Sequence, residues 1–141
     1  RKLEFNKNNN IFCIYPTSVF VRKKMLENAI SILNKRKKIF IFSAKKIEKN
    51  IFRGFFLRNE KIVPIFRGNT FKRSQDMKTA YVDAAQFYLA KSSTWLKNKN
   101  IFNKNSKFIE INRNLSQDID YQSDWIFAEN LYKNLNNKKY E

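Results

Sequence analysis

Histidine is absent from this chain. That excludes Ser-His-Asp and Cys-His nucleophile systems and the commonest zinc ligand sets. Any chemistry must come from carboxylates, Arg, Lys, Tyr or a hard metal ion. Cysteine occurs once, as Cys13. No internal disulfide can form, which suits a reducing, cytoplasmic compartment. No apolar run approaches the ~18 residues that span a membrane. The start, RKLEFNKNNN, lacks the apolar stretch of a signal peptide. A first residue of Arg rather than Met is expected of a piece of something longer.

Acidic residues are also scarce: 12 Asp and Glu stand against 29 Lys and Arg, a net charge of +17. Two causes compete. Lys, Asn, Ile and Phe dominate, and A/T-rich codons spell all four. The same charge suits an anionic substrate or a nucleic acid. What is plentiful is apolar surface. In 141 residues, the size of one domain, 43% are apolar and 16% aromatic, enough for a real core.

Along the chain, IFCIY (11–15) predicts a buried strand, broken by PTSVF (16–20). Residues 21–36 predict a helix with Met25, Ala29, Ile32 and Leu33 on one face. KIFIFSA (38–44) predicts a second strand. Strand, helix, strand implies a crossover unit with a parallel sheet. IFRGFFLRNEKIVPIF (51–66) predicts a hairpin turning near RNE, with Pro64 confining its second half to an edge. Residues 67–79 predict a loop. AAQFYLA (84–90) predicts a strand, and SSTWLKN (92–98) a short helix capped by Ser92 or Ser93. KFIEI (107–111) predicts a strand. Gln122 to Leu135 predicts a helix whose stripe of Trp125, Ala128, Leu131 and Leu135 packs into the core. Asn/Lys-rich patches at 6–10, 98–105 and 134–139 predict loops or frayed ends.

One acidic feature stands out. In QDIDYQSDWIFAE (117–129), Asp118 and Asp120 are two apart at the end of an expected strand. On extended backbone both project from one face and repel unless a cation lies beyond them. Magnesium suits such a pair: it takes one or two protein carboxylates, keeps waters and binds substrate phosphates. Strand carboxyl ends are where α/β sheets gather ligands. The plainer alternative makes Asp120 the helix N-cap and leaves Asp118 solvated.

Three stretches, taken in order, carry a resemblance: YPTS at 15–18, RSQD at 73–76 running on to YVDAAQFY at 81–88, and DIDYQSDWIFAE at 118–129. Together they resemble the acylneuraminate cytidylyltransferases, most of all the pseudaminic acid branch. The likeness runs from about Ile11 to Leu131. It implies an α/β, Rossmann-like nucleotidyltransferase fold of the glycosyltransferase-A type, a mixed sheet flanked by helices. It implies transfer of CMP from CTP to a nonulosonic acid sugar with release of pyrophosphate, and a homodimer. Asp118 and Asp120 would hold Mg2+ as the catalytic pair. Arg73 would grip the sugar carboxylate, and Tyr15, Thr17, Ser18, Gln75, Asp76, Gln86 and Tyr88 would line the substrate site. Against several of these stand ordinary alternatives: a surface Arg for Arg73, turn chemistry for Gln75 and Asp76, a cap or turn for Thr17 and Ser18, packing for Tyr88.

Departures from the pattern are Ala85 where Gly is usual, Lys78 where Pro is common, Val82 where His is common and Tyr121 where Thr follows DID. Only Gly54 and Gly68 are present. Neither sits in the Gly-rich loop that wraps CTP phosphates at the start of such domains. Residues 1–141 are therefore expected to be the carboxyl-terminal portion of one cytidylyltransferase domain, lacking its amino-terminal nucleotide-binding segment and inactive alone. Residues 51–72 are the expected dimerisation hairpin and loop. Other readings are a basic nucleic-acid-binding module, against which the Lys and Arg are dispersed rather than in one stripe, and a non-catalytic remnant.

Overall fold

The structure, a computed structural model, describes residues 6, 8–36, 38–68, 71–97 and 100–137. Parts of the expected loops at 67–79, 98–105 and 134–139 lie outside the described residues. The architecture is α/β: a mixed four-stranded sheet with helices against it. β1 (Asn10–Ile14), β2 (Ile41–Lys46), β5 (Tyr81–Lys91) and β6 (Lys107–Glu110) make the main sheet, in the order β1-β5-β2-β6. A separate hairpin pairs β3 (Phe55–Arg58) with β4 (Lys61–Pro64). The helices are α1 (Lys23–Lys35), α2 (Ser92–Lys97) and α3 (Gln122–Asn137).

β1 and β2 do run the same way, joined by α1, but they are not neighbours. β5 lies between them and pairs antiparallel with both. Only β2 and β6 pair in parallel. The expected parallel crossover is thus opened by a strand that arrives 35 residues after β2 ends, at Tyr81 following Lys46. Local pattern marks a strand but does not name its partner.

The amphipathic period of α1 decides the core. Ala29 and Leu33, one turn apart, are fully buried and cluster with Ile41, Phe87 and Leu89 on the sheet and Ile39 just before it. The opposite sheet face is aromatic. Phe40 meets Trp95 of α2 edge-on at 4.9 Å, and Phe42 meets Phe102 at 5.0 Å. Ser92 begins α2, but its hydroxyl donates to the Asn6 carbonyl at 2.7 Å, tying the amino-terminal segment down instead of capping the helix.

The hairpin turns at Asn59 and Glu60, with φ of 47° and 63°. Two consecutive left-handed residues make the turn that matches strand twist. The RNE expectation holds, although residues 49–53 form a 3-10 turn rather than strand. The α3 expectation holds in extent, and its last turn absorbs 134–137. Its stripe does not hold as read: Ala128 is buried, but Trp125 is 48% exposed.

Candidate functional site

The turn after β1 and the middle of β5 build one group. Tyr15 N-terminal to the turn offers its carbonyl to the Ser18 N–H at 3.0 Å, and the Thr17 carbonyl takes the Val19 N–H at 2.9 Å. This tight turn drives Ser18 inward, where its hydroxyl donates to the Ala85 carbonyl at 3.3 Å. Tyr15 stays half exposed and meets the buried Tyr88 edge-on, ring centroids 5.8 Å apart. Thr17 is half-buried.

β5 bulges here. Phe42 pairs with Tyr88 and Ala44 with Asp83, so Ser43 alone opposes Ala84, Ala85, Gln86 and Phe87. The ladder breaks, and side chains repair it. The fully buried Ser43 hydroxyl accepts the Gln86 N–H at 2.9 Å and the Phe87 N–H at 3.3 Å. One Asp83 carboxylate oxygen accepts the Ala85 N–H at 3.0 Å. The other accepts the Tyr88 hydroxyl. Gln86 is buried, its amide nitrogen donating to the Ala84 carbonyl at 3.2 Å while its Oε1 is buried without a partner among the described residues. A buried acceptor left open is costly unless something comes to donate to it. Bulges beside sites re-aim side chains in this way.

Burial first, and then the Asp83 carboxylate, push the Tyr88 phenol far above its usual range. The folded chain holds this proton more tightly than the unfolded chain does. Its contribution to stability is therefore intact below about pH 10, the ordinary phenol value, and is lost as pH climbs beyond it. Urea titrations between pH 9 and 11 should show stability falling with pH, and less steeply in Tyr88→Phe. Some slope remains in that variant, because Tyr81 is also raised, by its hydrogen bond to Glu110. Equal slopes in the two proteins would remove the assignment.

Ala85 adopts φ of 51°, a left-handed conformation in which a Cβ crowds the backbone. This supplies a reason for glycine at the corresponding position of the resembled family that has nothing to do with room for substrate. Ala85→Gly should stabilise the chain by about 0.5–1 kcal/mol, since strain relief of about 1–2 kcal/mol is offset by the unfolded-state freedom that glycine adds. Thermal melts that fail to rise would show that the bulge is not strained.

Asp118 and Asp120 do not end a strand. β6 stops at Glu110; a 3-10 turn at Arg113–Leu115 follows, and 116–120 have no regular structure. Lys45, near the end of β2, donates to the Ser116 carbonyl at 3.2 Å and holds this segment at the sheet's edge. Both carboxylates are exposed, and neither takes a hydrogen bond or ion pair among the described residues. Asp120 is not the α3 cap. Asp124, in the first turn of α3, serves that end instead: its carboxylate accepts the Tyr121 N–H at 2.9 Å and the Asp120 N–H at 3.1 Å. That is half of a capping box, with Tyr121 where Ser or Thr would complete the sequence signature.

Ile119, between the two acids, lines an apolar cavity with Val19, Phe20, Trp125, Ala128 and Tyr132. Through it the acidic segment lies against the turn that carries Ser18. Trp125 is thus cavity wall rather than core. The Arg73 turn is a separate piece. Arg73 pairs with Asp76 at 3.3 Å, both exposed, and Gln75 between them is exposed. Arg53 donates to the Lys72 carbonyl, anchoring this turn to the 49–53 segment. Of the expected site residues, then, Tyr15, Ser18, Gln86 and Tyr88 are brought together, with Thr17 in the same turn. Asp118 and Asp120 flank Ile119, which shares a cavity with Val19 and Phe20 after that turn, and Arg73, Gln75 and Asp76 stand on another loop. Ser43, Asp83 and Asp124 were not anticipated. Asp83 and Asp124 stood inside the motifs YVDAAQFY and DIDYQSDWIFAE, while Ser43 left no such trace.

Among the described residues no three or more His, Cys, Asp or Glu converge as a metal cluster. Two unencumbered carboxylates nevertheless fit the donor set magnesium takes from protein when substrate phosphates supply the rest.

No family model matches the chain. Over 126 residues, 89% of its length, it is 36% identical to the pseudaminic acid cytidylyltransferases of two Campylobacter jejuni strains. Over 119 residues, 84% of its length, it is 30% identical to a Helicobacter pylori protein. That protein is named as a pseudaminic acid cytidylyltransferase and UDP-2,4-diacetamido-2,4,6-trideoxy-beta-L-altropyranose hydrolase. The chain spans 54% of the Campylobacter proteins and 23% of the Helicobacter one, so about half the length of the first relatives. The resemblance read from three motifs therefore extends over most of the chain.

Proposed function

We propose that this chain is the carboxyl-terminal portion of a cytidylyltransferase domain that transfers CMP from CTP to a nonulosonic acid, pseudaminic acid being the first candidate. The observation that carries the reading is 36% identity over 89% of the chain to pseudaminic acid cytidylyltransferases, joined to the meeting of the YPTS turn with the β5 bulge inside YVDAAQFY. Asp118 and Asp120 would hold magnesium, which when bound offsets phosphate charge near the attacking sugar oxygen.

The chain's own residues do the rest. Asp83 keeps the Tyr88 hydroxyl in a fixed place and orientation. The open Gln86 Oε1 is an acceptor waiting for a donor, which a sugar hydroxyl or amide provides. Ser18 stiffens the same wall by binding the bulge. Arg73 engages Asp76 through Nε, leaving its terminal amino groups to meet a sugar carboxylate. The glycines at 54 and 68 form no triphosphate cradle, so this reading assigns that task to sequence outside the chain, and the chain alone is inactive.

The hairpin supports a homodimer through residues 51–72. Phe55, Phe56, Leu57 and Ile62 are each more than half exposed on a two-stranded sheet that is marginal by itself. Sedimentation equilibrium should give a dimer; a monomer at high micromolar concentration would end that part of the reading. Among the described residues no helix is long and apolar enough to cross a membrane.

The deciding assay supplies CTP, pseudaminic acid and magnesium to a protein extended to the relatives' length. Pyrophosphate release that depends on the sugar and the metal is expected. No release with pseudaminic or sialic acids would overturn the proposal.

A further inference from the structure

A cleft of about 530 Å³ opens where α1 ends and β2 and β6 begin. Among the described residues, Arg36, Lys38, Lys104 and Lys107 line it with Ile39 and Asn105, and no carboxylate does. β1, β2 and β6 run in one direction, and their carboxyl ends lead into the candidate site. This cleft is at the other end of β2 and β6.

Part of the charge has a local cause. The Arg36 N–H closes α1 on the Ile32 and Leu33 carbonyls, and Lys35 and Arg36 offset the negative end of the helix. Lys104 and Lys107 have no such cause, since Lys104 comes from the turn before β6 and Lys107 begins that strand. The ion pairs among the described residues, Lys23–Glu27, Arg73–Asp76 and Arg113–Glu48, are all elsewhere. The contrast with the basic cavity around Lys45, Lys46 and Arg113 is informative: there Glu48 lines the wall and pairs with Arg113. Cations gathered without a counter-charge repel one another, by about 1 kcal/mol per pair at 4 Å even in water. An anion relieves this. Among the described residues the cleft's lining holds no aromatic ring, so they offer nothing for bases to stack on.

We infer that this cleft binds a chain of phosphate groups, free or as the tail of a nucleotide, by charge alone and without metal.

Calorimetry of the chain with tripolyphosphate, in low salt with EDTA, tests it apart from the proposed reaction, whose acidic pair would need a cation. Binding that weakens with added salt is expected. Lys104→Gln with Lys107→Gln should reduce affinity at least about tenfold. A control pair of equal charge, Lys24→Gln with Lys97→Gln, should stay within about twofold. ATP binding as tightly as tripolyphosphate identifies a nucleotide tail; ATP binding more weakly identifies a free chain. Equal loss from both pairs of substitutions would overturn the inference, as generic attraction to a basic protein. So would tighter binding of a single-stranded RNA oligomer that depends on its bases. Circular dichroism confirms that the variants fold.

Discussion

Ser43→Ala should cost the fold about 2–6 kcal/mol, a large share of the 5–15 kcal/mol typical of a domain. The hydroxyl is fully buried and accepts two backbone N–H groups, from Gln86 at 2.9 Å and Phe87 at 3.3 Å. Removing it orphans both donors inside the sheet, each at about 1–3 kcal/mol. The cavity left by one oxygen adds little. Urea unfolding of the variant beside Ser92→Ala separates the effects. Ser92 is also buried, but its hydroxyl serves the single Asn6 carbonyl, so about 1 kcal/mol is expected there. If Ser43→Ala came within 0.5 kcal/mol of the parent, the bulge N–H groups would have to be satisfied some other way. The loss should reach function as well, because the same bulge holds Gln86 and Tyr88 in place.

Asp120→Asn is expected to behave in the opposite manner, leaving the fold intact and removing the reaction. The Asp120 side chain is exposed and bonds to nothing described, while its backbone N–H donates to Asp124, as that of asparagine would. Stability should shift by less than about 0.5 kcal/mol. Under the proposed reaction, turnover in a protein of the relatives' full length should fall at least about a thousand-fold. That is the scale of the several kcal/mol a metal ion supplies to a developing charge. Asp124→Ala is the counterpart: it loses the α3 cap and about 1 kcal/mol of stability while keeping both candidate metal ligands. Turnover surviving in Asp120→Asn would retire the metal assignment and leave the resemblance standing.

The two acids show why sequence spacing went only part of the way. D-x-D after an alternating run reads as extended backbone with both carboxylates on one face. The strand actually ends at Glu110, and the acids follow a 3-10 turn. What kept them beside the sheet is the bond from Lys45 to Ser116, 71 residues apart in the chain, which no local pattern encodes. Asp120 also looked like the natural cap. That end is served from inside the first turn by Asp124, whose reach back satisfies the Tyr121 and Asp120 N–H groups at once.

Residue order alone determined the local elements: the helical stripe of Ala29 and Leu33, the apolar runs at 11–15 and 107–111, the turn at Asn59–Glu60. These follow from side-chain period and turn chemistry within a few residues, so they are legible without a fold. The three motifs likewise marked the family resembled. Tertiary structure decided what depends on pairing at a distance. It threaded β5 antiparallel between β1 and β2, forced Ala85 left-handed in a bulge, set Ser43 beneath it, and left half of Trp125 outside the core. Each outcome rests on backbone donors and apolar faces finding partners far along the chain, and that competition is settled only when the whole sheet closes.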